Sequence, residues 1–358
     1  MKADWRTTTL GEVIQLPYGK PLDPKDRNPN GLYPAYGANG VKDRTDKFYK
    51  DSPSIIVGRK GSAGEVTLTE DRFWPLDVTY FVEFDREQYC LQFLYYLLVT
   101  LDLTSMAKGV KPGINRNEVY ALPVMVPPLP EQQRIVALLD EAFDGIATAK
   151  ANAEKNLQNA QALFASHVQS VFSRTGAGWT SKTLDQISTN LDSKRVPITK
   201  SDRNAGEYRY YGASGVVDYV ADYIFDGDTL LVSEDGANLL ARSTPIAFSV
   251  SGKYWVNNHA HILQFQNMAT QRCVEFYLES IPLDEYITGA AQPKLNQRAL
   301  NSIPIWIPET VSEQQEVVRE IEALSEQTAR LEAIFEQKIN ALEDLKKSLL
   351  HQAFNGEL

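Results

Sequence analysis

The sequence predicts an α+β protein in which two β-rich domains form a pseudo-two-fold tandem repeat, separated by a long antiparallel two-helix coiled coil. Three observations predict this class. The chain of 358 residues repeats a series of motifs in the same order. Twice, a proline-marked stop is followed by Glu-Gln-Gln and a long helical pattern. The rest of each copy consists mainly of short apolar runs broken by Gly, Pro, Asn and Asp, which is typical of β structure.

The internal repeat is read from an ordered series of matches. "YPAYGANGV" (33–41) matches "YRYYGASGV" (208–216) at an offset of 175 residues. "GINRNEVYALP" (113–123) matches "KLNQRALNSIP" (294–304) at an offset of 181, and the Glu-Gln-Gln runs match at 182. The offset only rises along the chain, so small insertions separate two copies of one unit, and such a series indicates duplication.

Each copy divides into a β-rich domain and a long helix. The expected boundaries are 1–129 and 174–311 for the β-rich domains, and 130–173 and 312–358 for the helices. Inside each β-rich domain one short helix is predicted, around "CLQFLYYLL" in the first copy and "CVEFYLES" in the second.

Two local signals mark the starts of the long helices. In the first copy Pro128 and Pro130 stop the preceding strand, and Pro130 has the fixed φ that suits a first helical position. In the second copy Ser312 and Gln315 fit a capping box, in which each side chain satisfies an orphan backbone N–H. Each predicted helix runs for about 42 residues, or about 63 Å.

The apolar pattern of the helices predicts that they pair with each other. The first helix, ending near Phe172, has an alanine-rich stripe that lets a partner helix approach closely. The second, ending near Phe354, has a narrow coiled-coil seam at alternating spacings of three and four. The symmetry of the repeat predicts antiparallel pairing, with the β-rich domains at opposite ends of a rod. The stripe consists of Ala142, Ala149, Ala153 and Ala160, and the seam of Ile321, Leu324, Thr328, Leu331, Phe335, Lys338, Leu342, Leu345 and Leu349.

Composition indicates a cytoplasmic protein with reduced thiols. No apolar run approaches membrane-spanning length, the N-terminus has no apolar secretory stretch, and the two cysteines have no metal-type spacing. The net charge of −10 argues at first against a nucleic-acid partner. Seven of the ten excess negative charges, however, fall in the two helical stretches, so basic patches remain possible in the β-rich domains.

Motifs for catalysis or cofactor binding are not found, so we expect a non-catalytic chain without metal or cofactor. "GRKGSAGE" (58–65) lacks the pattern of a nucleotide loop and is more typical of a turn or basic loop. "NHAH" places His259 and His261 on one face of a strand, but zinc needs a further ligand and none lies nearby in sequence. Packing or hydrogen bonding is the favoured role of these histidines.

Basic and amide-rich loops recur in both copies. "AKGVKPGINR" (107–116) and "GAAQPKLNQR" (289–298) carry Lys, Arg, Asn and Gln around glycines. Arg59 of the glycine loop aligns with Glu234 of the second copy. Such side chains neutralise phosphates or read base edges, so two related domains with different side chains at one loop would read different DNA sequences. The alternative for any one residue is a solvated loop.

The predicted DNA-binding residues lie in these loops and in the tyrosine-glycine motif. In the first copy they are Tyr36, Asn39, Lys42, Arg59, Lys60, Ser62, Lys108, Lys111, Asn115 and Arg116. In the second copy they are Tyr211, Ser214, Ser233, Glu234, Asn238, Arg242, Gln292, Lys294, Asn296 and Arg298. Asn115 and Asn296 have a further, structural option as helix N-caps.

The chain resembles the specificity subunits of type I restriction-modification systems, the HsdS family. The resemblance lies in "WRTTTLGEV" and "WTSKTLDQI", in "YPAYGANG" and "YRYYGASG", in "NRNEVYALPVMVPPLPEQQRIV", and in the ending "LLHQAFNGEL". It covers essentially the whole chain in the family's order. The second copy departs from the proline pattern, with "PETVSEQQ" in place of "PPLPEQQ".

The resemblance implies that each β-rich domain is a target-recognition domain reading one half of a split sequence in double-stranded DNA. The paired helices would fix the distance between the halves and dock methyltransferase subunits, expected to be two. Those partners would carry S-adenosylmethionine and methylate adenine N6, and translocating restriction subunits would join for cleavage. No membrane association is implied.

Two alternative functions are also compatible with the sequence. A tandem-domain coiled-coil adaptor that binds protein or glycan is favoured by the absence of net positive charge. A DNA-targeting subunit of a fused or type II-like enzyme differs only in its partners.

Overall fold

The computed structural model describes residues 5–69, 72–174, 176–289 and 292–358. The chain forms two compact units, Met1–Ala153 with Gln337–Leu358 (unit 1) and Glu154–Glu336 (unit 2). Each unit holds one β-rich domain and a part of each long helix. Ala290 and Ala291 of the second basic loop lie outside the described residues.

Unit 1 contains eight described strands, two of which close the domain by pairing its first and last segments. The strands are β1 (Arg6–Thr9), β2 (Tyr33–Gly37), β3 (Gly40–Thr45), β4 (Ile55–Gly58), β5 (Val66–Leu68), β6 (Trp74–Pro75), β7 (Thr79–Phe81) and β8 (Pro123–Val126). The helices are α1 (Leu10–Val13), α2 (Leu91–Thr100), α3 (Arg116–Tyr120) and the long α4 (Leu129–Phe172), which continues into unit 2. The sheets are β1-β8, β3-β2-β6 and β5-β4-β7.

Unit 2 repeats this plan with additional strands. Its strands are β9 (Trp179–Thr183), β10 (Ser188–Asn190), β11 (Ala205–Gly212), β12 (Gly215–Val220), β13 (Phe225–Asp226), β14 (Thr229–Ser233), β15 (Ala247–Val250), β16 (Lys253–Val256), β17 (Ala260–Phe265) and β18 (Pro304–Pro308). Its helices are α5 (Leu184–Ile187), α6 (Asn238–Ala241), α7 (Met268–Ser280), α8 (Gln297–Asn301) and the long α9 (Val311–Phe354), which continues into unit 1. The sheets are β18-β9, β12-β11-β16-β13 and β10-β17-β14-β15.

The register of the hairpins confirms the duplication. The hairpin β2–β3 closes with Gly37 opposite Gly40, and β11–β12 closes with Gly212 opposite Gly215. The second glycine of each turn has a positive φ, 106° and 118°, which side chains other than glycine rarely adopt. Each first hairpin strand also pairs in parallel with a strand that carries a tryptophan, Trp74 in β6 or Trp255 in β16.

The short helix predicted in each domain is confirmed and contributes buried side chains to the core. Helix α2 buries Phe93, Leu94 and Leu97 in unit 1, and α7 buries Cys273 and Val274 in unit 2. The apolar run of α2 is explained by burial on several sides, since Phe93 contacts Phe354 of α9 and Tyr96 contacts Phe143 of α4.

The long helices are antiparallel within each unit. In unit 1, Lys150 on α4 forms an ion pair with Glu343 on α9 at 2.6 Å, while Arg134, earlier on α4, donates to the carbonyl oxygen of Leu358 at 2.9 Å. In unit 2, His167 on α4 contacts Glu320 at 3.0 Å. Ala153 of the predicted stripe is buried, and the other three stripe alanines are half-buried.

The predicted seam of α9 is only partly correct. Ile321 and Thr328 are buried, whereas Leu331 and Leu345 are 43% and 46% exposed, and Lys338 is exposed. A single partner helix covers only a narrow stripe of its neighbour, so the part of the apolar pattern that lies outside this stripe remains open to solvent.

Both helix starts differ slightly from prediction. Helix α4 begins at Leu129, so Pro130 is its second residue and not its first. Helix α9 begins at Val311, and the capping box at Ser312 is wrong. Thr310 caps this helix, because the Glu313 carboxylate accepts the Thr310 hydroxyl at 2.7 Å and the Glu313 N–H donates back to that hydroxyl at 3.3 Å.

Among the described residues, no helix combines the length and the apolar character needed to cross a lipid bilayer.

Candidate nucleic-acid interface

Three loops meet in unit 1. The turn between β2 and β3 lies against the glycine loop, since a Cβ atom added to Gly58 would lie 2.7 Å from the carbonyl oxygen of Ala38. The glycine loop is joined to the basic loop, because the Gly61 N–H donates to the carbonyl oxygen of Pro112 at 2.9 Å. The loop cluster of unit 1 is defined as residues 38–40, 58–65 and 107–116.

The same three loops meet in unit 2. The Ser233 hydroxyl donates to the carbonyl oxygen of Ala213 in the turn between β11 and β12. The Gly236 N–H donates to the carbonyl oxygen of Pro293 at 3.0 Å, the counterpart of the contact between Gly61 and Pro112. The loop cluster of unit 2 is defined as residues 213–215, 233–238, 288–289 and 292–298.

Two arginines of the unit 1 cluster, Arg59 and Arg116, lie near the ring of one tyrosine, Tyr18. The guanidinium groups of Arg59 and Arg116 lie 5.2 and 5.0 Å from the ring centre of Tyr18, at cation–π distance. Arg59 also donates to the carbonyl oxygen of Asp77 at 2.6 Å, and Arg116 to that of Leu16 at 3.2 Å. These contacts hold both cations in place while Tyr18 remains 51% exposed.

The lysines of unit 1 are the more accessible cations. Lys60, Lys108 and Lys111 are all exposed. Lys108 forms a surface ion pair with Glu118 at 2.7 Å, and such exposed pairs contribute about 0–1 kcal/mol, so a phosphate group can compete for this lysine. The unit 1 cluster therefore presents accessible positive charge next to a fixed arginine–tyrosine stack.

Unit 2 has a network of ion pairs at the position where unit 1 has the contact between Arg59 and Tyr18. Arg59 and Glu234 are structurally equivalent, because their N–H groups donate to the carbonyl oxygens of Val78 and His259, both at 2.9 Å. The Glu234 carboxylate contacts Arg195 at 2.6 Å and Lys294 at 3.1 Å. Glu234 is 9% exposed, so its carboxylate is largely committed to these two cations and the geometry does not favour the predicted contact with a cytosine.

His261 connects the network to Asp192. Its Nδ1 lies 2.5 Å from an Asp192 carboxylate oxygen, and its Nε2 lies 2.7 Å from the carbonyl oxygen of Leu295. Both partners are acceptors, so both contacts are hydrogen bonds only when both ring nitrogens carry hydrogen. His261 is 1% exposed, so both contacts are buried.

The network lowers the pKa of both carboxyl groups. Burial alone would raise the pKa of Asp192, but the hydrogen bond and the charge of His261, the Ile262 N–H and the charge of Arg195 together outweigh burial and hold the pKa below its usual value. Burial also acts to raise the pKa of Glu234, and the hydrogen bond from Arg195 is the largest of the effects that lower it. The two carboxylates are thus ionised partners of three basic side chains, Arg195, His261 and Lys294.

Asp192, Glu234 and His261 place ligand atoms within 4.8 Å of one another, which is close enough for one metal ion. The sequence shows no further metal ligand close to His261, but the folded chain brings two, Asp192 and Glu234, next to it. The guanidinium of Arg195 and the ammonium of Lys294 already neutralise Glu234. A divalent cation would have to displace or approach these charges, so the cluster is better described as a structural ion network.

His259 has a different environment from His261. Its Nδ1 lies 2.9 Å from the Asp235 carboxylate, and its side chain is 49% exposed. This pair belongs to the unit 2 cluster and offers a ring nitrogen and a carboxylate to a ligand.

Several predicted DNA-binding residues point into the protein. Tyr36 and Tyr211 are 4% and 6% exposed, and the hydroxyl of buried Ser233 is used within the cluster. Arg242 donates to the carbonyl oxygens of Leu278 at 3.1 Å and Ile281 at 2.9 Å. The geometry gives these four residues structural roles, and it does not favour direct contacts with DNA.

Other predicted residues are accessible. Asn115 and Asn296 cap α3 and α8, accepting from the N–H groups of Asn117 and Ala299, so the predicted capping option is confirmed. Asn238 accepts from the Thr244 N–H and shapes its loop. The exposed members are Asn39, Lys42, Lys60, Lys108, Lys111, Asn115, Ser214, Gln292, Lys294, Asn296 and Arg298, and the half-buried ones are Arg59, Ser62, Arg116 and Asn238. Contacts of these residues with DNA stay a prediction.

Four residues that lie in or next to the loop clusters are not among those predicted from the sequence, namely Tyr18, Val110, Asp192 and Arg195. Val110 lies inside the predicted basic loop, and its apolar character between two lysines was the available signal. The other three lie more than 35 residues from the loops that they join, and no local pattern marks them.

The family profile described as "Type I restriction modification DNA specificity domain" matches this chain twice, over residues 2–158 and 177–343. The chain belongs to this family. The two matches coincide with the two copies of the repeat, so the recognition made from sequence motifs is confirmed.

Individual relatives agree with the family. A putative type I restriction enzyme specificity subunit from Haemophilus influenzae is 34% identical over 148 residues, which cover 41% of this chain and 38% of that relative. This match thus spans well under two thirds of the relative's length. The EcoDI type I restriction enzyme specificity subunit from Escherichia coli is 22% identical over 409 aligned positions, which cover 100% of this chain and 89% of the relative.

A solved structure shows the same fold over the full chain. It is titled "Structural basis underlying complex assembly and conformational transition of the type I R-M system", and one of its chains matches with a TM-score of 0.80 and 17% identity. The match covers 100% of this chain and 99% of that chain. The tandem α+β architecture with two long helices is therefore shared with that chain.

Proposed function

We propose that this chain is the DNA-recognition subunit of a type I restriction-modification complex, in which unit 1 reads one half of a bipartite site and unit 2 reads the other. The observation that carries the proposal is that the two loop clusters share their backbone connections but not their side chains. Beside the equivalent residues Arg59 and Glu234, unit 1 presents the exposed Lys60, whereas unit 2 presents Asp235 paired with the exposed His259. Base pairs are distinguished by the donors and acceptors that they present, so one framework with two side-chain sets suits two different half-sites.

The long helices serve as a spacer and as the docking site of two methyltransferase subunits. They hold seven of the ten excess negative charges, which suits protein partners better than phosphate. They also leave large apolar side chains exposed, among them Leu138 and Leu345 on the parts in unit 1 and Leu163 and Leu331 on the parts in unit 2. Exposed apolar groups on a charged surface support protein binding.

The chemistry belongs to the partners. The methyltransferase subunits carry S-adenosylmethionine and transfer its methyl group, and restriction subunits cleave. We expect the isolated chain to show no methyl transfer from labelled S-adenosylmethionine to DNA. Methyl transfer by a preparation free of other subunits would contradict the non-catalytic role.

The decisive experiment exchanges residues 1–125 for the same region of a family relative and sequences the methylated sites of the host genome. One half of the methylated sequence should change, and the other half should remain. The matched control exchanges residues 174–303, which should change the opposite half.

Two results would defeat the proposal. If a stable complex changed both halves after either exchange, the units would not read separate sequences. If neither exchange altered the methylated sequence, the sequence would be read by another subunit.

A further inference from the structure

Val110 is the most exposed large apolar side chain in the described part of the protein. It has the full exposure of an unfolded residue, 108%, whereas the next is Leu32 at 71%. Val110 thus contributes no burial to the fold. A single exposed apolar residue is common, so exposure alone indicates no function.

The loop that carries Val110 is held by backbone hydrogen bonds. The Lys108 N–H donates to the carbonyl oxygen of Gly113 at 2.9 Å, and the Gly113 N–H donates back at 3.1 Å. The turn between them contains Gly109 at φ +94° and a proline with fixed φ. This closed turn holds the valine at a defined position, at the tip of the loop.

A second hydrogen bond fastens the turn to the rest of the cluster. The carbonyl oxygen of Pro112 accepts from the Gly61 N–H at 2.9 Å, and Lys60 pairs with Gly113 in a β-bridge. The tip therefore moves with the glycine loop and not as a separate flexible segment. A binding group that is already in place loses little entropy when it meets its ligand.

Lysines surround the apolar tip. Lys108 and Lys111 flank Val110 in the loop, and Lys60 lies beside the same turn, all three exposed. This is the arrangement expected for a side chain that enters a DNA groove between neutralised phosphates. A protein partner with an apolar pocket would require an anionic rim to match.

The shape of valine distinguishes between two modes of groove contact. Side chains that unstack base steps from the minor groove are longer or rigid, such as Phe, Leu, Ile, Met and Pro. A short branched side chain fits an apolar contact with the thymine methyl group, which the major groove alone displays.

We propose that Val110 is a specificity-determining residue of unit 1 and that its methyl groups contact the 5-methyl group of a thymine in the major groove of one half-site. This inference rests on the proposed function. It adds a contact that selects thymine by shape, beside the charged and amide side chains that act by hydrogen bonding.

The test uses the complete complex with its methyltransferase subunits and duplexes that contain the site. The exchange of residues 1–125 first assigns one half-site to unit 1. Deoxyuridine then replaces each thymidine of that half-site in turn, which removes the methyl group and keeps base pairing. At one position the wild type should bind the deoxyuridine duplex about threefold to tenfold more weakly than the thymidine duplex. This loss is smaller than the largest losses caused by removing a bidentate hydrogen-bonded pair.

Val110→Ala should bind the thymidine duplex more weakly and should lose its sensitivity to deoxyuridine at that position. Val99→Ala is the matched control, because Val99 is an exposed valine on α2 that is not part of the loop cluster, and it should retain the full deoxyuridine effect. A urea unfolding curve checks that Val110→Ala folds as the wild type does.

The inference is overturned if the wild type binds its half-site specifically but is indifferent to deoxyuridine at every thymine, or if the half-site contains none. It is also overturned if Val110→Ala keeps the deoxyuridine effect. A complex without any sequence preference would instead overturn the proposed function, and the two failures are thereby distinguished.

Discussion

Gln132 and Gln314 make the same hydrogen bond in their own units. Each side-chain amide donates to the carbonyl oxygen of a proline that precedes its long helix, Pro127 at 2.9 Å and Pro308 at 2.8 Å. Both glutamines are buried, at 1% and 5% exposure, whereas the next residue in each Glu-Gln-Gln run is exposed. The repeated motif therefore has one structural glutamine per copy.

The other end of each amide binds the short core helix. The Gln132 Oε1 accepts from the N–H of Cys90, the residue that precedes α2, at 2.9 Å. The Gln314 Oε1 accepts from the Thr270 hydroxyl on α7 at 2.7 Å. A buried amide with all partners present fixes the orientation of the elements it joins, so this residue sets where each long helix leaves its domain.

Gln132→Ala should destabilise the protein by about 2–4 kcal/mol, since it leaves the Cys90 N–H and the Pro127 carbonyl without their buried partner. The measurement is the urea midpoint of unfolding, followed by tryptophan fluorescence. Gln133→Ala, at the exposed neighbour, is the control and should change stability by less than about 0.5 kcal/mol. Equal effects of the two variants would show that the Gln132 amide has no special role.

Asp192→Asn should destabilise the protein by about 3 kcal/mol at neutral pH, because it removes the carboxylate that faces buried His261. The control is Asp228→Asn, which lies on the surface of the same unit. If both variants unfolded at the wild-type urea concentration, the network would contribute nothing to stability.

The stability difference between the wild type and Asp192→Asn should depend on pH. The pKa values of Asp192 and Glu234 are lowered by folding, so their ionised forms are bound more strongly in the native state. That contribution is complete above the unfolded values of about 3.9 and 4.3 and is lost as pH falls through the lower folded values. Urea midpoints measured from pH 7 to pH 3 should therefore show the wild-type advantage shrinking at the acid end.

Replacement of Lys60 and Lys111 by alanine should weaken DNA binding by the assembled complex equally for specific and random duplexes. For each lysine that neutralises a phosphate in the wild type, its replacement should flatten the plot of log affinity against log salt by about one unit. Lys155→Ala, an exposed lysine on α4, is the control and should leave the slope unchanged. An unchanged slope in the double variant would place this cluster off the DNA.

Lengthening both long helices should lengthen the spacer between the half-sites. Four residues inserted after Ala153 and four after Glu336 add about 6 Å to each helix, with little rotation. This length is nearly two base pairs at about 3.4 Å each. Methylome sequencing should show unchanged half-sites and a spacer one or two base pairs longer. An active complex that kept its original spacer would exclude the helices as the spacing element.

Insertion into α4 alone is the control for that experiment. It puts the helix pairs of one unit out of register with those of the other, so that Lys150–Glu343 and His167–Glu320 cannot both form on continuous helices. We expect this variant to be less stable than the matched double insertion, which would be seen as a lower urea midpoint.

Features that depend on short sequence distances were predictable. The short core helices, the caps at Asn115 and Asn296 and the starts of the long helices within two residues all follow from local patterns. The cap of α9 was misplaced because two hydroxyl residues, Thr310 and Ser312, each stand three positions before a Glu or Gln. The choice between them depends on where β18 ends, which is a matter of strand pairing.

The alternation of two copies of one domain with two long helices follows from the amino-acid sequence alone. Helical periodicity and repeated motifs are properties of the order of residues along the chain and do not depend on how distant segments fold together. Which loop side chains remain available to a ligand depends on the folded chain. Glu234 and Arg59 are similar as isolated charged loop residues, yet Glu234 is neutralised by Arg195 and Lys294, 39 and 60 positions away, whereas Arg59 lies over exposed Tyr18. Ion pairing and burial depend on distance in space, and the folding of distant segments onto one another sets that distance.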